Sequence, residues 1–528
     1  MQKHHINYLK NTFLPCVASG AAVGVIVGTA VFFFKWAADF LMARSAEIYA
    51  YVHAHPLFVP LLFLGLAVLA AAEFFLQRYT PETRGGGIPR SVGAVRGVLS
   101  FRWLRSAIGA VFNSFFSFFA GLPLGTEGSS VLIGTALGKG VSELPLARRD
   151  FSKYTMTGGA SAGFAVATGA PLAGVVFALE EMHRKIAPTM LLAVVSSVLS
   201  ASLVSSLLTR ALGGSAGPLF ELPSEVPVTL VLNQIWILII AGVFCGLAAV
   251  AFCRLLDFLT KYYGKHHAQK VRFVRIIVLF LVVGGVGLLL NDALYGGHGL
   301  IENVLSMQFG VGMLFAIFFT RFLLIAFASS DGASGGLFIP MLSLGALVGG
   351  LTAKLCAAMG MSSELNALVV IVCTVSFMGA ATRSPVTAII LAVEATWQFT
   401  NLFYVAVAVF IAYLIMSFFR AESAYESMLK NMVKRQYRGK TCRSADVEVV
   451  VCEGCFAVGK PVSDLLFSVN LIPRRTFTAE KEEVFPGREH SLRVGDKIVF
   501  TAVSYEFDET AGELVNYFGK QEIVWKEN

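Results

Sequence analysis

The chain has 528 residues, 56% of them hydrophobic and 14% charged, with a formal net charge of +8, whereas soluble domains average about 45–50% apolar and about 25% charged. An ordinary soluble enzyme is excluded. A nucleic-acid surface is excluded too, because the positive excess has no basic polar face and suits Lys and Arg flanking membrane spans.

Charge is unevenly placed, with 29 charged residues in the last 98 positions and 47 in the first 430. A bilayer-embedded part over residues 1–435 and an aqueous part over 440–528 follow. Residues 11–34 contain no Asp, Glu, Lys or Arg, a longer run than the roughly 7–15 apolar residues of a signal peptide. They predict a retained first helix behind Lys3, His4, His5 and Lys10. Gly20, Gly24 and Gly28 give it a small-residue face on which another helix can pack closely. Uncharged runs at 106–126, 155–179, 186–209, 226–253, 303–320, 332–353 and 395–419 fall near the roughly 20 residues of a spanning helix.

Several runs are interrupted where an unbroken helix would cost less. The breaks are Gly85-Gly86-Gly87-Ile88-Pro89, Gly125-Thr126-Glu127-Gly128, Gly169-Ala170-Pro171 and Gly335-Gly336-Leu337-Phe338-Ile339-Pro340. Non-helical backbone at membrane depth is tolerated only where protein buries it or it lines a wet cavity, so these breaks point to a site. The chain also repeats itself. At an offset of 214, residues 170–180 align on 384–394 without a gap, and at 211 Gly125, Gly134 and Gly138 fall on Gly336, Gly345 and Gly349. One duplication, with repeats over about 15–215 and 226–420, explains both offsets. Paired broken helices in two halves are a transporter pattern, with substrate bound near the midplane.

A helix that starts inside the membrane presents unpaired N–H groups and a positive dipole end, and both attract an anion. Pro89 and Pro340 suit a first turn, where no amide donor is needed, and the glycines before them let backbone approach a ligand. Glu127 stands at a third such start, and an ionisable side chain inside an apolar segment is a functional hypothesis by default. Its carboxylate and a bound anion would compete for one place. Protonation of Glu127 would then admit the anion and link the two movements; a helix-capping carboxylate is the alternative. Glu180 and Glu181 close the helix that begins near Pro171, followed by His183, Arg184 and Lys185, a basic cluster that suggests the cytoplasmic side. Either one of the pair receives protons there or both are solvated charges at headgroup level.

These residues resemble the CLC family of chloride channels and chloride/proton antiporters over roughly residues 15–430. The family signatures GSGIP, GREGP and GxFxP stand here as residues 85–89, as Gly125-Thr126-Glu127-Gly128-Ser129 and as Gly336-Leu337-Phe338-Ile339-Pro340. The resemblance implies an all-α polytopic membrane protein with an inverted internal repeat and broken helices. It implies a homodimer with one complete pore per subunit. It makes Glu127 the gating glutamate, Glu181 the internal proton-transfer glutamate, and Gly86, Gly87, Ile88, Phe338, Ile339 and the Tyr425 hydroxyl the anion-binding groups. Two departures matter: Gly86 replaces a hydroxyl-donating Ser, and Thr126 and Ser129 replace the Arg and Pro of the gating motif. They leave chloride, nitrate and fluoride open, while Glu181 resembles the proton-coupled chloride branch. The reading is an antiporter, not an enzyme and without a cofactor, that exchanges chloride or a related small anion for protons across the cell inner or plasma membrane. A passive chloride channel of the same fold is its near rival.

After the basic run Lys430 to Lys440, positive charge places the exit, like the N-terminus, in the cytoplasm. A small α+β domain is predicted over 440–528, with strands at 447–451, 476–478, 497–503 and 522–525 and a helix at 508–518. Residues 461–465 and 492–498 resemble the TrkA-C type of regulatory domain, which implies a small-molecule ligand or a dimerisation module. The eight cysteines form no disulfide framework: Cys245, Cys253, Cys356 and Cys373 lie in apolar segments, and Cys452-Glu453-Gly454-Cys455 has no second ligand pair for a metal. Gly159-Ala160-Ser161-Ala162-Gly163 fits the G-x-S-x-G of a serine hydrolase, a remote intramembrane-protease reading that lacks a histidine deep in an apolar run.

Overall fold

A computed structural model describes residues 12–100, 102–144, 149–214, 234–266, 268–399, 402–480, 482–484 and 490–527. Lys3 to Lys10 and the first residues of the 226–253 run lie outside them. With no water at membrane depth to satisfy the backbone, the described apolar part is helical apart from short breaks. The first half holds α1 (Leu14–Ala54), α2 (Val59–Tyr79), α3 (Gly87–Val95), α4 (Trp103–Phe119), α5 (Glu127–Ser142), α6 (Ser152–Thr168), α7 (Pro171–Phe177) and α8 (Pro188–Ala211). The second holds α9 (Ile235–Lys265), α10 (Gln269–Leu289), α11 (His298–Leu305), α12 (Val311–Asp331), α13 (Phe338–Ala358), α14 (Asn366–Thr382), α15 (Pro385–Thr396) and α16 (Leu402–Phe418). A last helix, α17 (Ala424–Gln436), follows. Among the described residues eight helices are long and apolar enough to cross a membrane, and Phe33, Leu61, Leu203 and Phe319 point outward from them.

The halves pack alike: α1 on α8 as α9 on α16, α5 on α6 as α13 on α14, and α6 on α8 as α14 on α16. The predicted glycine face of α1 lies against α8, where a Cβ on Gly28 would come within 2.8 Å of Ala201 Cα. Gly242 and Gly246 of α9 meet Ala408, Ile411, Ala412 and Ile415 of α16 in the matching place. The break after α6 is made by Gly169 (φ +67°) and its counterpart after α14 by Arg383 (φ +61°), each followed two residues on by the proline that opens the next helix.

The second half is inverted, and four hydrogen bonds show it. Glu180 accepts from the backbone N–H of Val386 at 3.1 Å and of Thr387 at 2.7 Å, at the start of α15. Glu394 accepts from Leu172 N at 2.8 Å and Ala173 N at 2.7 Å, at the start of α7. The end of each helix caps the beginning of its repeat partner, so the two run antiparallel. A carboxylate at a helix N-terminus satisfies orphan donors and meets the positive dipole end.

One expectation needs extending. The first uncharged run stops at Phe34, but α1 continues for 41 residues through Lys35 and Asp39 to Ala54. Nothing after residue 34 breaks a helix, and the Lys35 ammonium donates to the Ala167 carbonyl at 3.1 Å.

The tail forms one antiparallel sheet, β1 (Arg443–Val450), β2 (Leu471–Phe477), β3 (Glu483–Val484), β4 (Lys497–Ser504) and β5 (Trp525–Glu527), in the order β3-β2-β4-β1-β5. Its inner side residues Val447, Val449, Ile498 and Phe500 bury against Leu514 and Phe518 of α18 (Phe507–Phe518). The strands differ from expectation in four places: β1 starts at Arg443 and not 447, β3 has no predicted counterpart, and β2 and β5 have shifted starts. β2 starts earlier, its alternation masked by a register shift at Pro473 to Arg475. β5 starts later than 522, because the Gln521 side chain bonds both the N–H and the C=O of Val450 and takes that edge.

Candidate functional site

Three helix starts meet backbone to backbone. The turn into α3 runs through Gly85 (φ +70°) and Gly86 (φ +72°). The turns into α5 and α13 join in a two-residue bridge, with Gly125 N donating to Gly336 O at 2.8 Å and Gly336 N to Gly125 O at 2.6 Å. A Cβ on Gly128 would stand 2.7 Å from Gly336 Cα, and one on Gly87 would overlap the Gly128 carbonyl. Only glycine permits this approach. Pro89 and Pro340 are each the third residue of their helix, where a missing donor costs nothing. The result is a buried pole of helix N-termini, suited to a small anion without a full positive charge.

Glu127 is fully buried at this pole. Its carboxylate faces the backbone amide of Ile339, Oε1 accepts from Thr126 Oγ1 at 3.3 Å, and Oε2 has no hydrogen-bond partner among the described residues. The side chain folds back over Gly125, in the space a Cβ there would need. Tyr425, from α17, is buried with its hydroxyl unpartnered among the described residues and within electrostatic reach of both Glu181 and Glu127. Phe338 packs edge-on against Phe164 at 4.9 Å, and Phe164 stacks on Phe177 at 4.7 Å. Ile88 and Ile339 are buried beside them. At Gly86 the Met428 methyl lies 3.3 Å from where a Cβ would stand. Both that contact and the positive φ favour glycine where the motif expects serine.

Glu181 is buried in a π-helical turn, Ala178–His183, that extends α7. Its carboxylate accepts from Ser384 Oγ at 2.5 Å. Arg96 donates to the Glu181 and Met182 carbonyls, both at 2.8 Å. Its neighbour Glu180 is the cap of α15 described above. The structure therefore brings together Glu127, Gly86 to Ile88, Phe338 and Ile339, with Tyr425 within electrostatic reach of both Glu127 and Glu181.

Sequence reasoning missed two groups. A cavity of about 670 Å³ opens on Glu127 and is lined by Lys35, Asp39, Asp292 and His298 among others. Glu73 of α2 is fully buried, and accepts from Gln77 Nε2 at 2.7 Å, Ser117 Oγ at 2.9 Å and Ser334 N at 2.9 Å. It thereby holds the turn that leads into α13. Glu73 carried a usable signal, an ionisable residue between apolar stretches. Ser161, by contrast, has an unpartnered Oγ among the described residues, and a Cβ on Gly159 or Gly163 would overlap the α5 backbone. The G-x-S-x-G pattern serves helix packing here.

Residues 65–417 match the family described as voltage gated chloride channel. A relative named H(+)/Cl(-) exchange transporter ClcA, from Salmonella paratyphi B, is 29% identical over 436 residues, covering 80% of this chain and 90% of its own length. A slow cyanobacterial Cl-/H+ antiporter of known structure superposes with a TM-score of 0.74 at 24% identity, over 80% of this chain and 99% of the other. A CLC-type fluoride/proton antiporter gives 0.63 at 20% identity, over 78% and 97%. At such identities the solved structures speak for the fold.

Proposed function

The chain belongs to the voltage gated chloride channel family, and from that premise we propose that it is an antiporter exchanging chloride, or a related small anion, for protons. One observation carries this reading: the Glu127 carboxylate is lodged where three helix starts converge, against the Ile339 amide. A negative oxygen already sits where an anion would. In this mechanism protonation releases Glu127 from the amides, the anion enters between the Phe338 and Ile339 amides and the Tyr425 hydroxyl, and Gly86, Gly87 and Ile88 supply the third wall. Binding by partial charges stays shallow enough for release. Glu181 passes protons between Glu127 and the cytoplasm, across a gap that holds the Tyr425 ring. The name of the Salmonella relative supports exchange over passive conduction.

The protein works as a homodimer with a pore in each subunit, and both termini face the cytoplasm. Residues 1–435 make the transport domain. Residues 440–528 make a TrkA-C-like regulatory domain with a small-molecule ligand. The basic residues on α17, Lys430, Lys434 and Arg435, support that orientation. The test is paired flux in proteoliposomes, where a chloride gradient should drive protons uphill. Chloride flux with no accompanying protons would leave a channel, and repeating the assay with nitrate and fluoride identifies the anion.

A further inference from the structure

The segment that carries Glu181 is gripped from outside the transport domain. Arg96 closes α3 and is buried. Besides its bonds to the Glu181 and Met182 carbonyls, its Nη1 lies 3.3 Å from Glu426, the residue after Tyr425. One guanidinium thus joins the anion helix α3, the proton-transfer turn and α17, using a planar fork of donors that lysine lacks.

The tail holds this junction through residues 464–469. Val469 N donates to the Arg96 carbonyl at 3.1 Å. On the other flank of Glu181, the Asp464 carboxylate accepts from Thr189 N at 3.1 Å and from Thr189 Oγ1 at 2.6 Å, capping α8, and Lys185 Nζ donates to the Leu465 carbonyl at 2.9 Å. Tyr154 OH donates to the Asp464 carbonyl at 3.0 Å, and Lys153 pairs with Glu513 at 2.7 Å while both bind Ser468. The turn between these flanks is π-helical, an irregularity often found at functional positions.

We propose that residues 464–469 and Arg96 form a clamp that positions Glu181 for proton transfer, so that proton coupling depends on the tail while anion passage does not. The inference rests on the antiport reading. Arg96 is a positioning residue, since it touches the Glu181 backbone and neither the anion nor the proton. Opening the clamp lets residues 178–185 relax and loosens the Ser384–Glu181 contact. The backbone bridge at Gly125 and Gly336 is made elsewhere and stays.

The test uses the full chain in proteoliposomes with chloride and proton flux recorded together. Asp464→Ala removes the cap on α8. Gly97→Ala drives a methyl into Ser468 Oγ and leaves the Arg96 side chain intact. Arg96→Lys keeps the charge and loses the double grip. Protons moved per chloride should fall about threefold or more in all three, with chloride flux in the two tail-facing variants within about twofold of wild type. A wild-type ratio in Asp464→Ala and Gly97→Ala overturns the clamp, whatever Arg96→Lys does. So does a parallel loss of both fluxes at an unchanged ratio, which would make the contact a matter of folding. An unsubstituted protein that carries no protons overturns the antiport reading first, and is seen before any variant is compared.

Discussion

In the first half α5 opens with Glu127, a carboxylate, and in the second α13 opens at the matching position with Phe338, an apolar ring. The turn after α7 carries Glu180 and Glu181, whereas the end of α15 carries Glu394 and then Ala395. What the halves share are Gly134 and Gly345, Gly138 and Gly349, and the crossed caps Glu180 and Glu394. These are the parts that hold helices together. What they do not share are the two acids assigned to proton movement. The halves thus share the packing scaffold and the crossed caps, whereas both acids assigned to proton movement stand in the first half.

Substitutions can break this division or sharpen it. The largest effect is expected at Glu127→Ala, which should abolish proton coupling, a loss of at least about tenfold in protons per chloride, while anions still pass; retained coupling would move the gate elsewhere. Glu181→Gln should stop proton movement and spare chloride flux, so equal losses of both would deny it a separate role. Gly128→Ala inserts a methyl against Gly336 Cα, and overpacking of about 1–3 kcal/mol is expected, read as a lower unfolding temperature and weaker chloride binding by calorimetry. The smallest effect tests the symmetry itself. Glu180→Gln and Glu394→Gln should each cost about 0.5–2 kcal/mol, the range for a lost cap, and similar amounts; a clear inequality in thermal unfolding would show that Glu180 does more than cap.

Much of the site was legible because it is written in local breaks. Glycine before a helix start and proline within its first turn are short-range signals, and they located α3, α5 and α13 and the acid among them. The internal offset located the halves but not their direction. The resemblance implied their inversion, and the structure displays it through Glu180 and Glu394, whose partners lie more than 200 positions away. Separation in sequence also hid the roles of Arg96, whose Glu181 and Met182 partners lie 85 and 86 positions away, and of Glu73, whose Ser334 partner lies 261 away. A polar group at membrane depth must find its partner inside the protein, and nothing in its own neighbourhood names that partner. Lys35 misled for a related reason: charge ended the uncharged run, but the helix continued because a carbonyl on α6 receives the ammonium.

The Gly125–Gly336 bridge has an implication for ancestry. Because each turn donates to and accepts from its equivalent, the pair marks the pseudo-dyad relating the halves, and the amides around it come from both. A half-length forebear would have needed a second, upside-down copy of itself to assemble such a pole, and on that reading association came before gene fusion. Residues 1–214 expressed alone should show no chloride affinity, and measurable binding by that fragment would contradict this history.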